Sequence, residues 1–367
     1  MKVCHLSSVH PRNDIRIFLK ECISLKDAGY DLSYVVADGL GNDKIQTIKI
    51  FDVGKLKHRF TRMFLSSLKV VIKGATIKAD IYHFHDPELA PFCLVYRLLG
   101  KKVIFDVHEN VAEQIQDKPW LGNFQKFFLS RLFNLLNKFF VRTFYTIIAE
   151  KSYSNIYDKI SLTFPLTTIL NYPKLNFFKS YQNCKRSGNE FFYIGGVSNN
   201  RGLDTILEAF DILDRQNIDF KMHFIGAISD KPNFEKYPNL SDKVIFYGRM
   251  NLEDGYEISR QCVAGLAILK PIGNYVKSYP TKVFEYMAIG LPVVTSNFSL
   301  YKEIVEDNDV GWCVDPNSPT DIADVLIEII NTKTIDKISQ RAVEQSSNYS
   351  WKNEEKKLLM LYRTILE

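Results

Sequence analysis

The sequence lacks several features that would assign it to a common class of protein. Its six cysteines are scattered and include no Cys-x-x-Cys pair, so buried thiols in a reducing compartment are favoured over disulfides or a zinc site. No uninterrupted apolar run is long enough to span a bilayer, and residues 1–6 carry no apolar signal segment. These absences predict a cytoplasmic protein whose contact with a membrane is at most peripheral.

Two motifs of common enzyme classes are also absent. No Gly-x-Gly-x-x-Gly follows the first predicted strand, residues 2–6, so a nicotinamide-dependent Rossmann enzyme is not favoured and a nucleotide must bind elsewhere. No His-Glu-x-x-His or similar compact metal-ligand motif occurs. The net charge of +5 is a mild excess for 367 residues. We predict no nucleic-acid partner, no metal and no other cofactor.

The chain is long enough for two domains, because 367 residues exceed what one hydrophobic core usually supports. Short apolar strands separated by helical stretches predict a doubly wound, parallel α/β sheet in each half. The predicted strands are residues 2–6, 32–36, 81–84, 103–105 and 146–149 in the first half, and 191–194, 222–226, 244–248, 266–269 and 292–295 in the second.

A break in regular structure separates the two halves. Residues 170–173 read Leu-Asn-Tyr-Pro, and residues 174–188 are polar and aperiodic, which is typical of a linker. Ser350 and Trp351 open a last helix. We therefore predict one domain at 1–172, a second at 173–349 and a C-terminal helix at 350–367.

The stretch 277–295 combines helix punctuation with a polar cluster. Pro280 suits the first position of a helix, and Gly290 marks its end before a buried strand. Lys282 would lie in the first turn, where free backbone N–H groups and the helix dipole attract phosphate. Glu285 follows three residues later on the same face, where its carboxylate can accept hydrogen bonds from ribose hydroxyls. The alternative is an ordinary amphipathic helix with a surface pair between these two side chains.

A glycine turn in the second half is a further candidate phosphate site. Residues 195–202 read Gly-Gly-Val-Ser-Asn-Asn-Arg-Gly, between a predicted strand and a helix. Gly195 and Gly196 would let the backbone approach an anion, and Arg201 could form two hydrogen bonds with a diphosphate. A Gly-Gly turn alone is weak evidence, and its place before a helix strengthens it.

Polar side chains also follow the predicted strands of the first half. They are His10, His83, His85, Asp86, Asp106, His108 and Glu109. Because the carboxyl ends of parallel strands meet at one edge of a sheet, these side chains predict a shared pocket. Three interpretations stay open: a metal site that combines His83, His85 and His108 with a carboxylate, hydrogen bonds that hold loops at the sheet edge, or a pocket for an acceptor.

Residues 278–294, Ser-Tyr-Pro-Thr-Lys-Val-Phe-Glu-Tyr-Met-Ala-Ile-Gly-Leu-Pro-Val-Val, resemble the donor-site segment of the family-4 (GT4) retaining glycosyltransferases. The resemblance implies the GT-B fold, in which two Rossmann-like domains face each other across a cleft and the last helix returns to the first domain. It implies metal-independent transfer of a sugar, with retained anomeric configuration, from a nucleotide sugar to a saccharide acceptor. Domain 1–172 would bind the acceptor and domain 173–349 the nucleotide sugar.

The same resemblance implies roles for donor-side residues. Glu285 matches the second of two glutamates that flank the nucleotide sugar, and Lys277 stands where the first would be. Arg201 matches a phosphate-binding residue after the glycine turn, whereas Val197 replaces an arginine that many members carry. Arg201 and Lys282 would stabilise the leaving diphosphate during catalysis. The implied donor site comprises Gly195, Gly196, Arg201, Lys277, Ser278, Thr281, Lys282 and Glu285.

Residues 9–18, 82–89 and 105–110 resemble the first domain of the same family, where a histidine lines the reaction centre. His108 matches that histidine best and is predicted to be catalytic, with His85 second. The predicted acceptor-side residues are His10, His85, Asp86 and Glu109.

Two basic amphipathic segments, residues 55–78 and 119–148, predict contact with an anionic membrane. The second has basic and polar side chains at intervals of three and four residues beside a wide aromatic face. A buried crossover helix would show part of this pattern, but the aromatic content beside a basic stripe favours a helix among lipid headgroups. We predict peripheral binding at the inner face of the plasma membrane and a lipid-linked acceptor used in cell-envelope or capsular polysaccharide synthesis.

Two rival functions stay open. A nucleotide-sugar epimerase can share the two-domain fold and would turn over the donor alone, without a lipid surface. A non-catalytic protein that binds sugar nucleotides is suggested by Lys277 in place of a glutamate. Assays of nucleotide-sugar turnover separate these two from a transferase.

Overall fold

The computed structural model describes residues 1–58, 61–108, 111, 115, 121–157 and 160–367. Internal contacts divide the chain into two compact units. Met1–Asn171 and Trp351–Glu367 form the N-terminal unit, and Tyr172–Ser350 forms the C-terminal unit. All six cysteines lie in the described ranges and are free thiols, four of them buried. Among the helices of these ranges, none has the length and apolar content that crossing a bilayer requires.

The sheet of the N-terminal unit is built around its first strand. Its strands are β1 Lys2–Leu6, β2 Asp31–Val36, β3 Asp43–Ile45, β4 Ile48–Asp52, β5 Ile81–Phe84, β6 Lys102–Val107, β7 Tyr145–Ile148 and β8 Leu166–Thr168. They pair in the order β3-β4-β2-β1-β5-β6-β7-β8, and only the β3–β4 pairing is antiparallel. Because β1, β5 and β6 are consecutive and parallel, the residues after each of them emerge at the same edge of the sheet.

The helices of this unit connect the strands. They are α1 Ile15–Cys22 continued by Ile23–Asp27, α2 Arg62–Ser66 continued by Ser67–Ile77, α3 Ala90–Leu98, α4 Asn123–Thr143 and α5 Ser154–Tyr157. The first parts of α1 and α2 are π-helical. Asp14 starts α1, because its carboxylate accepts hydrogen bonds from the backbone amides of Arg16 and Ile17.

The C-terminal unit has a second, six-stranded sheet. Its strands are β9 Glu190–Ile194, β10 Lys221–Ile225, β11 Val244–Gly248, β12 Ala264–Ala267, β13 Val293–Ser296 and β14 Gly311–Val314. They pair in parallel, in the order β11-β10-β9-β12-β13-β14. The helices are α6 Leu175–Phe178, α7 Leu203–Arg215, α8 Leu252–Ile258, α9 Thr281–Ala288, α10 Ser299–Val305, α11 Pro319–Asn331 and α12 Ile335–Ser346.

The last helix, α13 Trp351–Leu366, packs in the N-terminal unit. Trp351 Nε1 donates a hydrogen bond to Ser24 Oγ at 2.9 Å, and the backbone amide of Leu170 donates to Glu354 Oε2 at 2.9 Å. Leu358 and Tyr362 of the same helix are fully buried. These contacts confirm the prediction that the end of the chain returns to its first domain.

Two parallel α/β sheets confirm the predicted fold class, and all ten predicted strands form within a few residues of their predicted bounds. The short strands β3, β4, β8 and β14 were not predicted from the sequence. Three of them, β3, β8 and β14, are edge strands. An edge strand is covered by neighbours on fewer sides, so its sequence carries a weaker apolar pattern than a central strand.

Candidate functional site

The C-terminal unit carries the glycine turn at the end of β9. Gly195 and Gly196 follow that strand directly, and Gly195 has a φ of +127°. A Cβ on Gly226, after the neighbouring β10, would lie 1.9 Å from the Gly195 carbonyl oxygen. A Cβ on Gly195 would lie 3.3 Å from Lys282 Nζ and 3.8 Å from Arg201 Nη1. Glycine at these two positions therefore keeps the strand ends close and the space beside both cations open.

Arg201 ends the short 3-10 turn Asn199–Arg201 between β9 and α7. Its guanidinium is hydrogen-bonded to the side chains of Tyr275 and Tyr193. Burial acts to lower the pKa of Arg201, but these hydrogen bonds raise it above its usual value. Throughout the ranges that the structure describes, no carboxylate lies within ion-pair distance of Arg201, so its charge is available to a ligand.

Lys282 lies in the first turn of α9 and is only 9% exposed. Its Nζ is 3.6 Å from the centre of the Tyr193 ring and has no hydrogen-bond partner among the described residues. Burial, together with the positive charge of Arg201, lowers the pKa of Lys282 well below its usual value. A bound anion would provide the partner that this amine lacks and would favour its charged form.

Glu285 lies one turn further along α9, close enough to Lys282 to act on its pKa. The hydroxyl of Tyr256 donates a hydrogen bond to Glu285 Oε2 at 2.6 Å. Tyr256 is buried, and its ring packs edge-on against Phe178 with the ring centres 5.0 Å apart. Tyr256 thus holds the half-buried carboxylate, which can accept further hydrogen bonds from a ligand. The sequence analysis missed Tyr256, because it lies on α8, 29 residues earlier in the chain.

Lys277, Ser278 and Thr281, in the segment that leads into α9, contribute less to this site than Lys282 and Glu285 do. Helix α9 begins at Thr281 with Pro280 as the preceding cap residue, so the prediction of Pro280 as the first helical residue is wrong by one position. Lys277 and Thr281 are exposed, and the backbone amide of Ser278 donates to the Asn274 carbonyl at 2.9 Å. In the described ranges, no hydrogen bond or ion pair joins these three predicted donor-side side chains to Arg201, Lys282 or Glu285.

Val197 has a structural reason for departing from the family pattern. Its side chain is only 1% exposed and belongs to the hydrophobic core of the C-terminal unit. Its backbone amide donates to the Ala227 carbonyl at 2.8 Å, which aligns the turn beside the neighbouring strand. A charged side chain at this position would have to leave the core, so Arg201 and Lys282 are the cations of the turn.

In the N-terminal unit, His108 follows β6 and its side chain is 12% exposed. His108 Nε2 lies 2.6 Å from Asp106 Oδ2, and His85 Nδ1 lies 3.3 Å from the same carboxylate oxygen. Burial lowers the pKa of His85 to about 4, against the opposing effect of Asp106. The structure therefore brings the two predicted histidines together around one carboxylate.

Asp106 is held in turn by Arg16 of α1, which the sequence analysis did not single out. Arg16 Nε and Nη2 donate to the two carboxylate oxygens of Asp106 at 3.1 and 3.0 Å. Burial acts to raise the pKa of Asp106, but Arg16 and His108 hold it well below its usual value. Asp106 is therefore an anion that orients His108. The sequence around Arg16 gives no local signal of this contact, since Arg16 and Asp106 are 90 residues apart.

His10 and Asp86 form a separate pair next to these residues. His10 Nδ1 lies 2.8 Å from Asp86 Oδ1, and Asp86 Oδ2 accepts hydrogen bonds from Ser7 Oγ at 2.8 Å and the Ser8 amide at 2.6 Å. Burial acts to raise the pKa of Asp86, but hydrogen bonds from His10 and Ser7 lower it to about 2. Asp86 thus anchors the loop after β1. The remaining acceptor-side prediction, Glu109, lies outside the described residues.

The predicted membrane segment forms one long exposed helix. Helix α4 contains four basic residues and no acidic residue, and it buries only Ser130, Phe140 and Val141. Its exposed large apolar side chains include Phe124 at 81% and Leu135 at 67%. The others are Phe127, Phe128, Leu129, Leu132, Leu136 and Phe139. The helix ends at Thr143 and β7 follows, so the prediction of one helical segment to residue 148 is wrong at that end, and residues 119–120 lie outside the described ranges.

The other basic segment, residues 55–78, contains α2. Met63, Phe64 and Leu65 are exposed at 41, 61 and 44%, whereas Val70 and Val71 are buried. Residues 59–60 of this segment lie outside the described ranges. Helix α2 therefore exposes its first turns and packs its later ones in the unit.

Comparison with known proteins finds a family match within the C-terminal unit. Residues 178–348 match the family described as Glycosyl transferases group 1. A D-inositol 3-phosphate glycosyltransferase of Nocardioides sp. is 30% identical over 108 residues, which are 29% of this chain and 23% of that protein. The match thus spans about a quarter of that relative's length.

Solved structures resemble the whole chain. A sucrose-phosphate synthase from Thermosynechococcus elongatus superposes with a TM-score of 0.74 at 14% identity, over 100% of this chain and 99% of that one. The Anabaena protein HepE, in complex with UDP and glucose, gives a TM-score of 0.71 at 12% identity, over 99% and 100% of the two chains. At such identities the likeness shows the fold, which is GT-B.

Proposed function

We propose that this protein is a glycosyltransferase that takes a sugar from a nucleotide sugar, with retained anomeric configuration and without a metal in the reaction, as expected of a GT4 enzyme. The C-terminal unit binds the donor, and the N-terminal unit binds the acceptor. The observation that carries the proposal is the pair of cations beside the glycine turn. Arg201 lacks a carboxylate partner in the described ranges, and Lys282 is buried there without any hydrogen-bond partner.

A diphosphate fits this arrangement better than a neutral ligand does. A neutral ligand would leave Arg201 without a counter-charge and Lys282 Nζ without a hydrogen-bond partner among the described residues, and the lowered pKa of Lys282 shows that the free site disfavours the charged amine. A diphosphate neutralises both charges and can also accept hydrogen bonds from backbone N–H groups of the turn and the start of α9. Glu285, held by Tyr256, is placed to bind the ribose hydroxyls.

The same groups act on the reaction. Negative charge grows on the diphosphate as the bond to the sugar breaks, and preorganised cations stabilise that charge more in the transition state than in the ground state. Lys282 gains most, because a growing negative charge next to it favours its protonated form. A UDP-sugar is the first donor to test, since HepE, a protein with the same fold, is described with UDP and glucose.

The acceptor side is proposed to use His108. Asp106 accepts a hydrogen bond from His108 Nε2, which leaves the other ring nitrogen of His108 to contact an acceptor hydroxyl. Arg16 keeps Asp106 anionic, so the tautomer and orientation of His108 are fixed. His10, His85, Asp86 and Glu109 complete the proposed acceptor side.

The acceptor is proposed to be a lipid-linked saccharide of cell-envelope or capsular polysaccharide synthesis, reached at the inner face of the plasma membrane. Helix α4 supports this proposal, because eight large apolar side chains are exposed beside Lys126, Arg131, Lys138 and Arg142. Such a face would bury its aromatic rings among acyl chains and place its basic residues at anionic headgroups.

The donor site is tested by Lys282→Met, which keeps the unbranched apolar part of the side chain and removes the amine. The full-length protein is incubated with membrane extract and a panel of labelled nucleotide sugars, and UDP binding is measured by calorimetry. We expect turnover of at least one donor and a loss in kcat/KM of about 100-fold in Lys282→Met, as for other groups that stabilise a developing anion. Lys302→Met, in an exposed lysine of α10, is the control that should change neither quantity.

The outcomes separate the functions. Turnover of the donor without an acceptor, at an unchanged rate when the membrane extract is omitted, would favour an epimerase. Donor binding without any turnover would favour a non-catalytic binding protein. Equal UDP affinity in wild type and Lys282→Met would contradict the donor site itself.

The membrane proposal is tested on sedimented vesicles of phosphatidylcholine with and without phosphatidylglycerol. We expect binding to the anionic vesicles that weakens with salt, and at least a tenfold weaker partition for the double variant Phe124→Ser, Phe128→Ser, because each buried Phe contributes about 1.5–3 kcal/mol. Leu98→Ser is the control, since Leu98 is an 87% exposed apolar residue on α3. Equal partition of both variants, or no binding of the wild type, would contradict a role for α4.

A further inference from the structure

A second histidine cluster lies deeper in the N-terminal unit than His108. We call His5, Glu21, His83 and His85 the inner cluster. All four side chains are essentially inaccessible to solvent, at 0, 0, 0 and 1% exposure. The proposed transfer reaction uses only His85 of this set, so the other three need a separate explanation.

The sheet brings the three imidazoles together. His5 of β1 and His83 of β5 are direct partners in the parallel register, and His85 follows His83 by two residues on the same face. The ring centres of His5 and His83 are 4.6 Å apart, those of His83 and His85 4.5 Å, and those of His5 and His85 5.1 Å. Glu21 reaches the same place from α1. One ligand atom from each of the four residues can be chosen so that all lie within 4.8 Å of one another.

Several of these atoms lack the hydrogen bonds that buried polar atoms normally have. His83 Nε2 and both carboxylate oxygens of Glu21 have no hydrogen-bond partner among the described residues. The nearest cation to Glu21 is Arg16, whose Nε lies 3.2 Å from Oε1. That guanidinium already makes two hydrogen bonds with Asp106, so one positive charge faces two carboxylates in a fully buried region. The carboxylate form of Glu21 therefore lacks a full counter-charge, and burial together with Asp106 raises the pKa of Glu21 well above its usual value. Three polar atoms of the cluster have no hydrogen-bond partner among the described residues.

We propose that the inner cluster binds one divalent transition-metal ion, of the zinc class, with His5, Glu21, His83 and His85 as its ligands. Three imidazoles and one carboxylate are ligands that Zn²⁺ and its first-row neighbours prefer, whereas Ca²⁺ and Mg²⁺ require mostly oxygen. The ion supplies the missing positive charge and coordinates the unpartnered atoms.

The surrounding contacts suit such a site. The hydroxyl of Tyr362 lies 3.0 Å from His83 Nδ1, which orients the ring and leaves Nε2 for the metal. His5 Nδ1 and His85 Nε2 form a hydrogen bond of 2.9 Å in this structure, and a tetrahedral zinc ion between them would require a separation of about 3.3 Å, so a small shift of the rings would admit the ion. Since Tyr362 belongs to the C-terminal helix α13, the metal would tie the end of the chain to β1 and β5. Its role is structural and separate from sugar transfer.

The sequence left open a different metal site, made of His83, His85, His108 and a carboxylate. The structure divides that set: His85 and His108 share Asp106, and His83 belongs with His5 and Glu21. His5 and Glu21 were not recognised in the sequence, because a buried residue within a strand and one within a helix carry no ligand spacing.

The test measures metal content in the full-length protein, purified without a histidine tag from cells grown with added zinc. We expect about one zinc per chain by mass spectrometry after dialysis, and less than about a fifth of that in His83→Phe and Glu21→Gln. His108→Gln and His223→Gln should keep the metal, because His108 lies outside the inner cluster and His223 is a buried histidine of the other unit.

A second measurement uses the wild-type protein, so it can contradict the proposal even if a variant does not fold. Protein from cells grown with cobalt should show the visible absorption of a cobalt ion with nitrogen and oxygen ligands, and X-ray absorption should count three histidines. A wild-type protein without metal after both growth conditions overturns the proposal. So does a metal content that the inner-cluster variants retain in folded protein, or a cobalt site with fewer than two histidines.

Discussion

The ends of the strands carry polar clusters in both units, but the two clusters are built in opposite ways. In the C-terminal unit, Arg201 and Lys282 lie beside an open glycine turn, and Lys282 has no hydrogen-bond partner in the described part of the chain. In the N-terminal unit, Arg16, Asp106 and His108 hold one another through short hydrogen bonds. The first cluster has no anionic side chain paired with Arg201 in the described ranges. In the second, Asp106 is paired with Arg16 and His108.

The two arrangements suit different roles. Arg201 and Lys282 are free to bind a ligand, whereas Arg16, Asp106 and His108 position one another. A buried amine without a hydrogen-bond partner costs stability, and the proposed donor site accounts for it, because a bound anion would supply that partner. A buried carboxylate that is paired with an arginine instead holds its neighbouring side chains in place. Loss of that arginine strongly lowers the stability of the folded protein. Substitutions in the two clusters should therefore change stability in opposite directions.

The largest effect is expected for Arg16→Met, which removes the cation that is paired with Asp106. Asp106 would stay buried without its positive partner, and we expect a loss of about 3–5 kcal/mol in the free energy of unfolding. Urea unfolding followed by circular dichroism measures it. Arg215→Met is the matched control, because the Arg215 side chain is 74% exposed and pairs with Asp211 one turn away. That surface pair should contribute at most about 0.5 kcal/mol. Similar losses of unfolding free energy in Arg16→Met and Arg215→Met would contradict the claim that the buried Arg16–Asp106 pair stabilises the fold more than a surface pair does.

A smaller effect is expected for Tyr256→Phe, which sharpens the comparison on the donor side. Loss of the hydrogen bond to Glu285 should raise the KM for the nucleotide sugar about tenfold, because a hydrogen bond to a charged group contributes about 1.5–3 kcal/mol. The kcat should stay within about twofold if Glu285 binds ribose equally in the ground and transition states. Tyr237→Phe is the control, since Tyr237 also donates to a glutamate, Glu208, at 3.3 Å. A fall in kcat at constant KM would contradict a role in donor binding.

The smallest effect, counted per pH unit, is expected in the pH dependence of stability at Lys282. Between its lowered pKa in the folded protein and about 10.4, the unfolded chain binds a proton that the folded chain does not. The free energy of unfolding of the wild type should therefore rise with pH in this window, by about 1 kcal/mol per pH unit. Lys282→Met should be the more stable protein at the lower end of the window and lose that advantage as the pH approaches 10.4. Parallel urea titrations of the two proteins between pH 7.5 and 9.5 measure the difference.

A constant difference across that range would show that the folded-state amine titrates normally. Addition of UDP should also reverse the effect, because an anion beside Lys282 raises its pKa again. Uptake of protons on UDP binding, measured by calorimetry in two buffers of different ionisation enthalpy, tests this reversal.

Much of the fold could be predicted from local pattern. Strands such as residues 81–84 and 191–194 are short apolar runs next to turn residues, and α9 has its boundaries marked by Pro280 and Gly290. Arg201, Lys282 and Glu285 lie in two segments that the sequence already singled out, and the structure places the three side chains near one another. Tyr256, Arg16 and His5 were missed, because each acts through a partner on another element.

The sequence by itself determined the two α/β sheets, the helix that begins beside Lys282 and the amphipathic character of α4, since each depends on residues within a few positions of one another. Only the tertiary structure decided which polar groups are paired. His5 and His83 are 78 residues apart in the chain and become neighbours through strand register. Pairing, burial and charge balance depend on all the elements that surround a group. The sequence alone therefore could not show that Lys282 lacks a hydrogen-bond partner in the described ranges, whereas His108 and Asp106 are paired with each other.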